Sequence, residues 1–70
     1  MNNTYIYYLN DTLKQLISLA KDVENTDEYY QGVIYGYYAS ISILLNQAEG
    51  FGIIEDLDED IKDFVPESLL

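Results

Sequence analysis

The chain has no cysteine and no histidine, and its only basic residues are three lysines. Without cysteine it cannot form a disulfide, and without cysteine or histidine a structural zinc site lacks its usual ligands. A chain of 70 residues is marginal as an isolated fold, because so small a core only narrowly offsets the entropy lost on folding. The routes to stability that remain are regular helix packing, self-association and folding against a partner.

Basic charge is scarce as well: 13 acidic residues against three lysines give a net charge of −10. Proteins bind DNA or RNA directly by neutralising phosphates with a basic patch, so this composition argues against direct nucleic-acid binding. It disfavours anionic membrane surfaces for the same reason. The electrostatically favoured partner is a protein with a basic surface.

No segment has the pattern of a secretory signal or a membrane span. The N-terminal residues MNNTYIYY lack a basic region followed by an apolar run. The longest uncharged stretch, residues 29–48, includes glycine, serine, asparagine and glutamine. It therefore has fewer strongly apolar residues than the roughly 20 needed to cross a bilayer. We expect a cytoplasmic protein of a bacterial or phage-infected cell.

Catalysis and cofactor binding are not expected either. Paired carboxylates can act as general acids and bases, but only in a cleft that perturbs their pKa values, and a small helical hairpin rarely has one. Asp56, Asp58 and Asp60 have the spacing of the first ligands of a calcium loop. However, Ile61 stands where that loop requires glycine, and Phe64 stands where it requires a polar ligand. We predict no enzyme activity, no metal and no cofactor.

Helical periodicity is the main signal in the first part of the chain. Apolar residues recur at steps of three and four over residues 4–23, which predicts an amphipathic helix. Asn10 lies off this stripe and is expected to face solvent. The stripe consists of Ile6, Leu9, Leu13, Leu16, Ala20 and Val23, and it is broadened by Tyr5, Ile17 and Leu19.

A second helix is predicted over residues 27–49. Asn25 or Thr26 can cap its start, and Asn25 with Glu28 has the spacing of a capping box. Gly50 is placed to end it in a left-handed conformation. The short connection requires the two helices to pack antiparallel. The stripe predicted to face the first helix is Tyr30, Ile34, Tyr37, Ile41, Leu44 and Ala48.

A third, shorter helix is predicted over residues 54–64. Ile54, Leu57, Ile61 and Phe64 form its apolar stripe, and Pro66 prevents it from continuing. The chain is therefore predicted to be a single small all-α domain over residues 1–70, with a short C-terminal helix packed across an antiparallel hairpin.

The segment of residues 49–67, which contains the predicted third helix, carries −7 of the net charge of −10, from eight acids and Lys62. Asp56, Glu59, Asp60 and Asp63 share one face if the helix is continuous, with neighbours roughly 5–6 Å apart. That spacing is similar to the spacing of phosphates along a nucleic-acid strand, so the face could occupy a basic groove. The alternative is a solvated face that only keeps the protein soluble. The predicted partner-binding acids are Glu55, Asp56, Asp58, Glu59, Asp60 and Asp63.

The second helix is uncharged on every face, which is typical of a helix surrounded by protein. Tyr30 and Tyr37 are assigned to the core. Gly32 and Gly36 either allow another backbone to approach or make room for neighbouring tyrosines. The other tyrosines are assigned to an interface, or alternatively to a core covered by the third helix. The predicted interface residues are Tyr29, Gly32, Tyr35, Gly36, Tyr38 and Leu45.

Two functional hypotheses follow from these patterns. The first is a small acidic inhibitor, or decoy that mimics nucleic acid, which occupies a basic surface of a nucleic-acid-handling protein. Its size and charge are typical of phage-encoded inhibitors of host defence. The second is a homo-oligomeric adaptor, an antitoxin-like or immunity-like partner, or a structural subunit, that binds through the tyrosine-rich helix. A homodimer built like a four-helix bundle around the two second helices is expected.

Overall fold

The fold is all-α, as predicted, and its centre is an antiparallel helical hairpin. The computed structural model describes residues 3–24 and 26–70. Helix α1 spans Asn3–Lys21 and helix α2 spans Glu28–Gly50. The two helices pack against each other, which confirms the predicted hairpin. A C-terminal segment follows, with a 3-10 turn at Ile54–Asp56, a short helix α3 at Glu59–Lys62 and a second 3-10 turn at Pro66–Leu69.

One hydrophobic core joins the hairpin and the C-terminal segment. Partly buried residues, among them Leu9, Leu16, Tyr37, Leu44 and Phe64, surround it. The C-terminal segment thus completes the core of the hairpin. The buried core residues are Ile6, Leu13, Ile17 and Ala20 of α1, Ile41 and Ala48 of α2, and Leu57 and Ile61 of the C-terminal segment.

The buried face of α1 is rotated from the predicted stripe. Ile17 is buried, whereas Leu9 and Leu16 are only partly covered. Asn10, predicted to face solvent, is 9% exposed. That prediction was wrong because α1 packs on two neighbours. Its buried face points between α2 and the C-terminal segment, and Asn10 faces the latter.

The connection between the helices ends at Asp27, which occupies the N-cap position of α2 with an extended backbone. The predicted cap at Thr26 is therefore wrong. The carbonyl of Thr26 instead accepts a hydrogen bond of 3.2 Å from the Gln31 side chain. The alternative cap and capping box rest on Asn25, which lies outside the described residues.

Helix α2 ends in a Schellman motif. The Ile53 N–H donates to the carbonyl of Ala48 at 2.9 Å, and the Gly52 N–H donates to the carbonyl of Glu49 at 3.0 Å. This pattern requires a left-handed residue immediately before Ile53. Gly52 supplies it, with φ of 74°. The prediction that Gly50 has this role was wrong, because Gly50 is the last residue of α2.

Replacing Gly52 by alanine is expected to lower the free energy of unfolding by about 1–2 kcal/mol, because a Cβ is strained at positive φ. Gly50→Ala is the matched control. Its Cβ would meet nothing within 4 Å, and alanine stabilises a helix relative to glycine by about 1 kcal/mol. Chemical denaturation of both variants should therefore give shifts of opposite sign. A destabilised Gly50→Ala variant would contradict this explanation.

Residues 53–70, which we call the C-terminal strap, do not form the single helix predicted over 54–64. The chain is extended at Leu57 and at Asp58, which is the N-cap position of α3. The Asp58 N–H donates to the side-chain oxygen of Asn10 at 2.8 Å. It is therefore not available to the carbonyl of Ile54, as a continuous α-helix would require. A tertiary hydrogen bond divides the predicted helix.

The strap follows the groove between α1 and α2 back toward the hairpin connection. Ile54 lies near Leu45 and Glu49 at the end of α2. Further along, Leu69 lies beside Tyr30 and Ile34 near the start of α2. The strap therefore covers one side of the hairpin along most of its length and leaves the opposite side to solvent.

Candidate protein-binding surfaces

All three lysines of the chain contact the strap. Lys14 forms a salt bridge with Asp58. Lys62, within the strap, pairs with Glu55 at 2.9 Å. The ammonium nitrogen of Lys21 lies 5.5 Å from the centroid of the Phe64 ring, a cation–π distance. The basic groups of the chain thus hold the strap in place, and most of the acids outside these pairs face solvent.

The Asp58 side chain is held by contacts with Asn10 and Lys14 of α1. Its carboxylate accepts a hydrogen bond of 3.0 Å from the Asn10 amide, which in turn accepts the Asp58 N–H. Hydrogen bonds from Lys14 and then Asn10 lower the pKa of Asp58, because they stabilise its charged form. The same contact with Asp58 raises the pKa of Lys14. Asp58 therefore has a structural role that the sequence did not indicate.

Replacing the Asp58 carboxylate by a neutral amide should change how the stability of the fold depends on pH. A lowered folded-state pKa means that the Asp58 carboxylate stabilises the fold above the unfolded pKa of about 3.9. That contribution is lost as pH falls through the folded-state value. Asp58→Asn should therefore be less stable than wild type at pH 7, and the difference should shrink below about pH 4.

Thermal melts at several pH values measure this difference. Asp56→Asn, which changes the same chemical group elsewhere in the strap, is the control. It should be close to wild type at pH 7, because surface substitutions shift stability by only about 0.5 kcal/mol. An Asp58→Asn variant as stable as wild type at pH 7 would show that the charge of the Asp58 carboxylate contributes nothing to stability.

The six predicted partner-binding acids fall into two groups. Asp58 and Glu55 are paired with lysines of the same chain. The other four are exposed, and we call them the acidic surface: Asp56, Glu59, Asp60 and Asp63.

The acidic surface does not lie on one helix, which corrects the predicted face. Glu59 and Asp60 are in the first turn of α3, and Asp63 caps its end, so these three keep helical spacing. Asp56 belongs to the preceding 3-10 turn, beyond the extended residue Leu57. The hydrogen bonds of Asp58 that divide the helix also displace Asp56 from the predicted face.

The predicted interface residues of α2 separate in the same way. Tyr29, Gly32, Tyr35 and Gly36 are exposed. Tyr38 and Leu45 are half-buried and line a groove formed with the strap. For these two residues, the alternative prediction of an aromatic-rich region covered by the C-terminal segment describes the fold better.

Tyr30, which was assigned to the core, is 37% exposed, so that assignment was wrong. It lies in the first turn of α2, and its ring makes an edge contact with Tyr29 at 5.0 Å between centroids. Tyr37, two helical turns later in α2, does pack against the core, as predicted.

The glycines of α2 face open space. A Cβ built at Gly32 or Gly36 would meet no atom of the described chain within 4 Å, apart from the neighbouring backbone. Within the described residues, no tyrosine occupies that space and no second backbone approaches it. Neither predicted reason for these glycines therefore operates within one copy. Any close packing there has to involve another molecule.

A second uncharged stripe, not predicted as an interface, lies on α1. Tyr5, Tyr8 and Leu19 are exposed, and Thr12 and Leu16 are half-buried. These residues follow one another at steps of three, four, four and three. Leu16 lines a shallow groove with Val33, Gly36, Tyr37 and Ser40 of α2, so the stripes of the two helices are neighbours. The sequence contains this spacing, but the apolar stripe beside it on α1 gives a stronger periodic signal.

Comparison with protein families, curated proteins and solved structures finds no match to this chain. None of the described helices combines the length and apolar character that a membrane crossing requires. Within residues 3–24 and 26–70, no three acidic side chains converge on a point where they could hold a metal ion.

Proposed function

We propose that this protein binds a basic surface of a nucleic-acid-handling protein through its acidic surface, and so acts as an inhibitor or nucleic-acid-mimicking decoy. The observation that supports this is the fixed position of the strap. Two lysine contacts, Lys14 with Asp58 and Lys21 with Phe64, and the Asn10–Asp58 hydrogen bonds hold it on the hairpin. The acidic surface is thereby presented on an ordered support.

The energetics of the strap are consistent with this role. Neighbouring like charges at helical spacing repel one another, so presenting Glu59, Asp60 and Asp63 together has a cost. Burial of Leu57 and Ile61 in the core offsets that cost. A strap that is ordered before binding loses less conformational entropy when a partner binds.

The experiment is capture of partners from a host lysate on the immobilised protein, at about 50 mM and about 500 mM salt. Exposed charges are screened beyond a Debye length of about 10 Å at 0.1 M salt. A partner of the acidic surface should bind at low salt, elute at high salt and be displaced by double-stranded DNA. Binding that withstands both salt and DNA would contradict the proposal.

The uncharged stripes of α1 and α2 favour a second candidate, a structural or regulatory adaptor. In that case exposed side chains such as Tyr29, Tyr35 and Leu19 supply the contacts, and the acids only keep the protein soluble. Because apolar docking changes little with salt, the same capture experiment separates the two candidates.

A further inference from the structure

We propose that the uncharged side of the hairpin is the contact surface of a symmetric homodimer, in which the α2 helices of two copies pack antiparallel. This goes beyond the proposed binding of a basic partner and does not depend on it. The surface consists of Tyr5, Tyr8, Thr12, Leu16 and Leu19 of α1 with Tyr29, Val33, Gly36, Ser40, Ile43 and Gln47 of α2. We call it the uncharged face.

Its position follows from the strap. Tyr38 and Ser42 border the groove that the strap fills. Gly36 and Ser40, about 120–160° around α2 from these residues by helical geometry, border the groove shared with Leu16 of α1. The strap and the uncharged face therefore lie on opposite sides of the hairpin. The strap carries the acidic surface, whereas the uncharged face carries exposed apolar side chains.

Charge favours this side for contact between two copies. Each copy has a net charge of −10, so most approaches bring like charges together. All of the residues of the uncharged face are neutral, so two copies can meet there with their acidic straps directed away from each other. On the opposite side of the hairpin, the strap covers the helices and carries the acidic surface.

The order of residue sizes along α2 identifies a second copy as the occupant. Gly36 and Ser40, the smallest residues, are at the centre of the stripe, and Val33 and Ile43 flank them three residues away on either side. Tyr29 and Gln47 follow at four more residues in each direction. The reversed stripe therefore matches the original in spacing and approximate size, as a two-fold axis between antiparallel helices requires. Gly36 would face Ser40 of the other copy, and Val33 would face its Ile43.

The area is sufficient for a specific dimer. Helix α1 has 19 residues and is about 28 Å long, and two adjacent helices are about 20 Å wide. Two such faces bury about 1,100 Å² in total, just above the roughly 1,000 Å² that specific interfaces exceed. The isolated chain also exposes 5081 Å², compared with about 4,500 Å² for a compact monomer of its mass.

Sedimentation equilibrium of the purified protein, from about 1 to about 200 µM, tests the proposal over a range that brackets a micromolar Kd. The mass should rise from 8.1 kDa toward twice that value. Ser40→Glu should weaken dimerisation by at least about 100-fold, since it buries an unpaired charge at the centre of the interface. Ser18→Glu, the same change beside the strap, should leave the dimer intact.

Gly36→Ala provides a test that does not depend on added charge. Because its Cβ meets nothing within one copy, alanine should raise the melting temperature of the monomer at low concentration. The same methyl group should weaken the dimer by about tenfold, through crowding at the closest approach of the helices.

Salt gives a further distinction from binding of a basic partner. Salt screens the repulsion between two acidic copies, so added salt should strengthen the dimer slightly. The same salt should weaken the binding of a basic partner. A wild-type protein that is monomeric at about 200 µM, or a Ser40→Glu variant that still dimerises, would overturn the dimer and leave the acidic-surface proposal untouched. Equal loss of the dimer in Ser18→Glu would also overturn it, because net charge would then be responsible.

Discussion

Reversing Asp56, Glu59, Asp60 and Asp63 to lysine should abolish binding to a basic partner. Each reversal replaces a negative charge by a positive one, so four of them bring the net charge from −10 to −2. Attraction becomes repulsion at the contact, and like-charge juxtaposition costs several kcal/mol. Because 1.4 kcal/mol corresponds to a factor of ten, affinity should fall by more than about 100-fold. Titration of each variant against the captured partner, at constant salt, measures this loss.

The fold should survive these reversals. All four side chains are exposed, and the anchors of the strap, Asn10, Lys14 and Asp58, are unchanged. Reversal also removes repulsion among neighbouring acids of α3. Circular dichroism should show unchanged helicity, so that a loss of binding can be assigned to charge.

A control with the same net charge separates position from total charge. Asp11, Asp22, Glu24 and Glu28 are exposed acids outside the strap, and their reversal also gives −2. This variant should lose only the long-range part of the attraction, which salt largely screens. If both variants lose binding equally, the protein acts through net charge and the strap has no special role.

Ile41→Ala should be the most destabilising truncation on α2. Ile41 is fully buried, with 0% exposure, at the centre of the core. Removing a buried isoleucine side chain costs about 2–5 kcal/mol, through lost burial and the cavity that remains. The whole fold has about 4–10 kcal/mol available, at the usual stability per residue. The variant should therefore be partly or wholly unfolded at moderate temperature, as measured by urea titration.

Ile43→Ala is the matched control, two residues along the same helix. Ile43 is 61% exposed, so its truncation should change the stability of the monomer by about 0.5 kcal/mol or less. In the proposed dimer, however, Ile43 is covered by the second copy, and the effect of its loss should grow with protein concentration. Equal effects of the two truncations at low concentration would contradict the assigned core.

Much of the hairpin could be predicted from the chain alone. The observed limits of α1 and α2 lie within two residues of the predicted ones, because apolar residues at steps of three and four indicate a helix without reference to any neighbour. The inward face of α2 was also largely correct, with Ile41 and Ala48 at its centre. Tyr30 was the exception, since it lies at the end of the hairpin near Val23 and Glu24, beyond the last turn of α1.

The strap could not be predicted in this way, because its form depends on contacts distant in sequence. Asn10 and Asp58 are 48 residues apart, and periodicity carries no information about such a pair. Their hydrogen bonds bury Asn10 of α1, divide the predicted third helix and hold the Asp58 side chain against α1. The left-handed position was assigned to Gly50 instead of Gly52 for a related reason. The choice between Gly50 and Gly52 depends on where Ile53 packs.

The sequence by itself determined the helical class, the hairpin and the excess of acid, because local periodicity, turn chemistry and composition require no knowledge of neighbours. Only the tertiary structure decided where the charge lies. By laying the strap along one side of the hairpin, it placed the acidic surface there and left the uncharged faces of α1 and α2 together on the other. The physical reason is that an amphipathic stripe defines which side of a helix avoids water, whereas its remaining faces acquire their neighbours only when the elements pack.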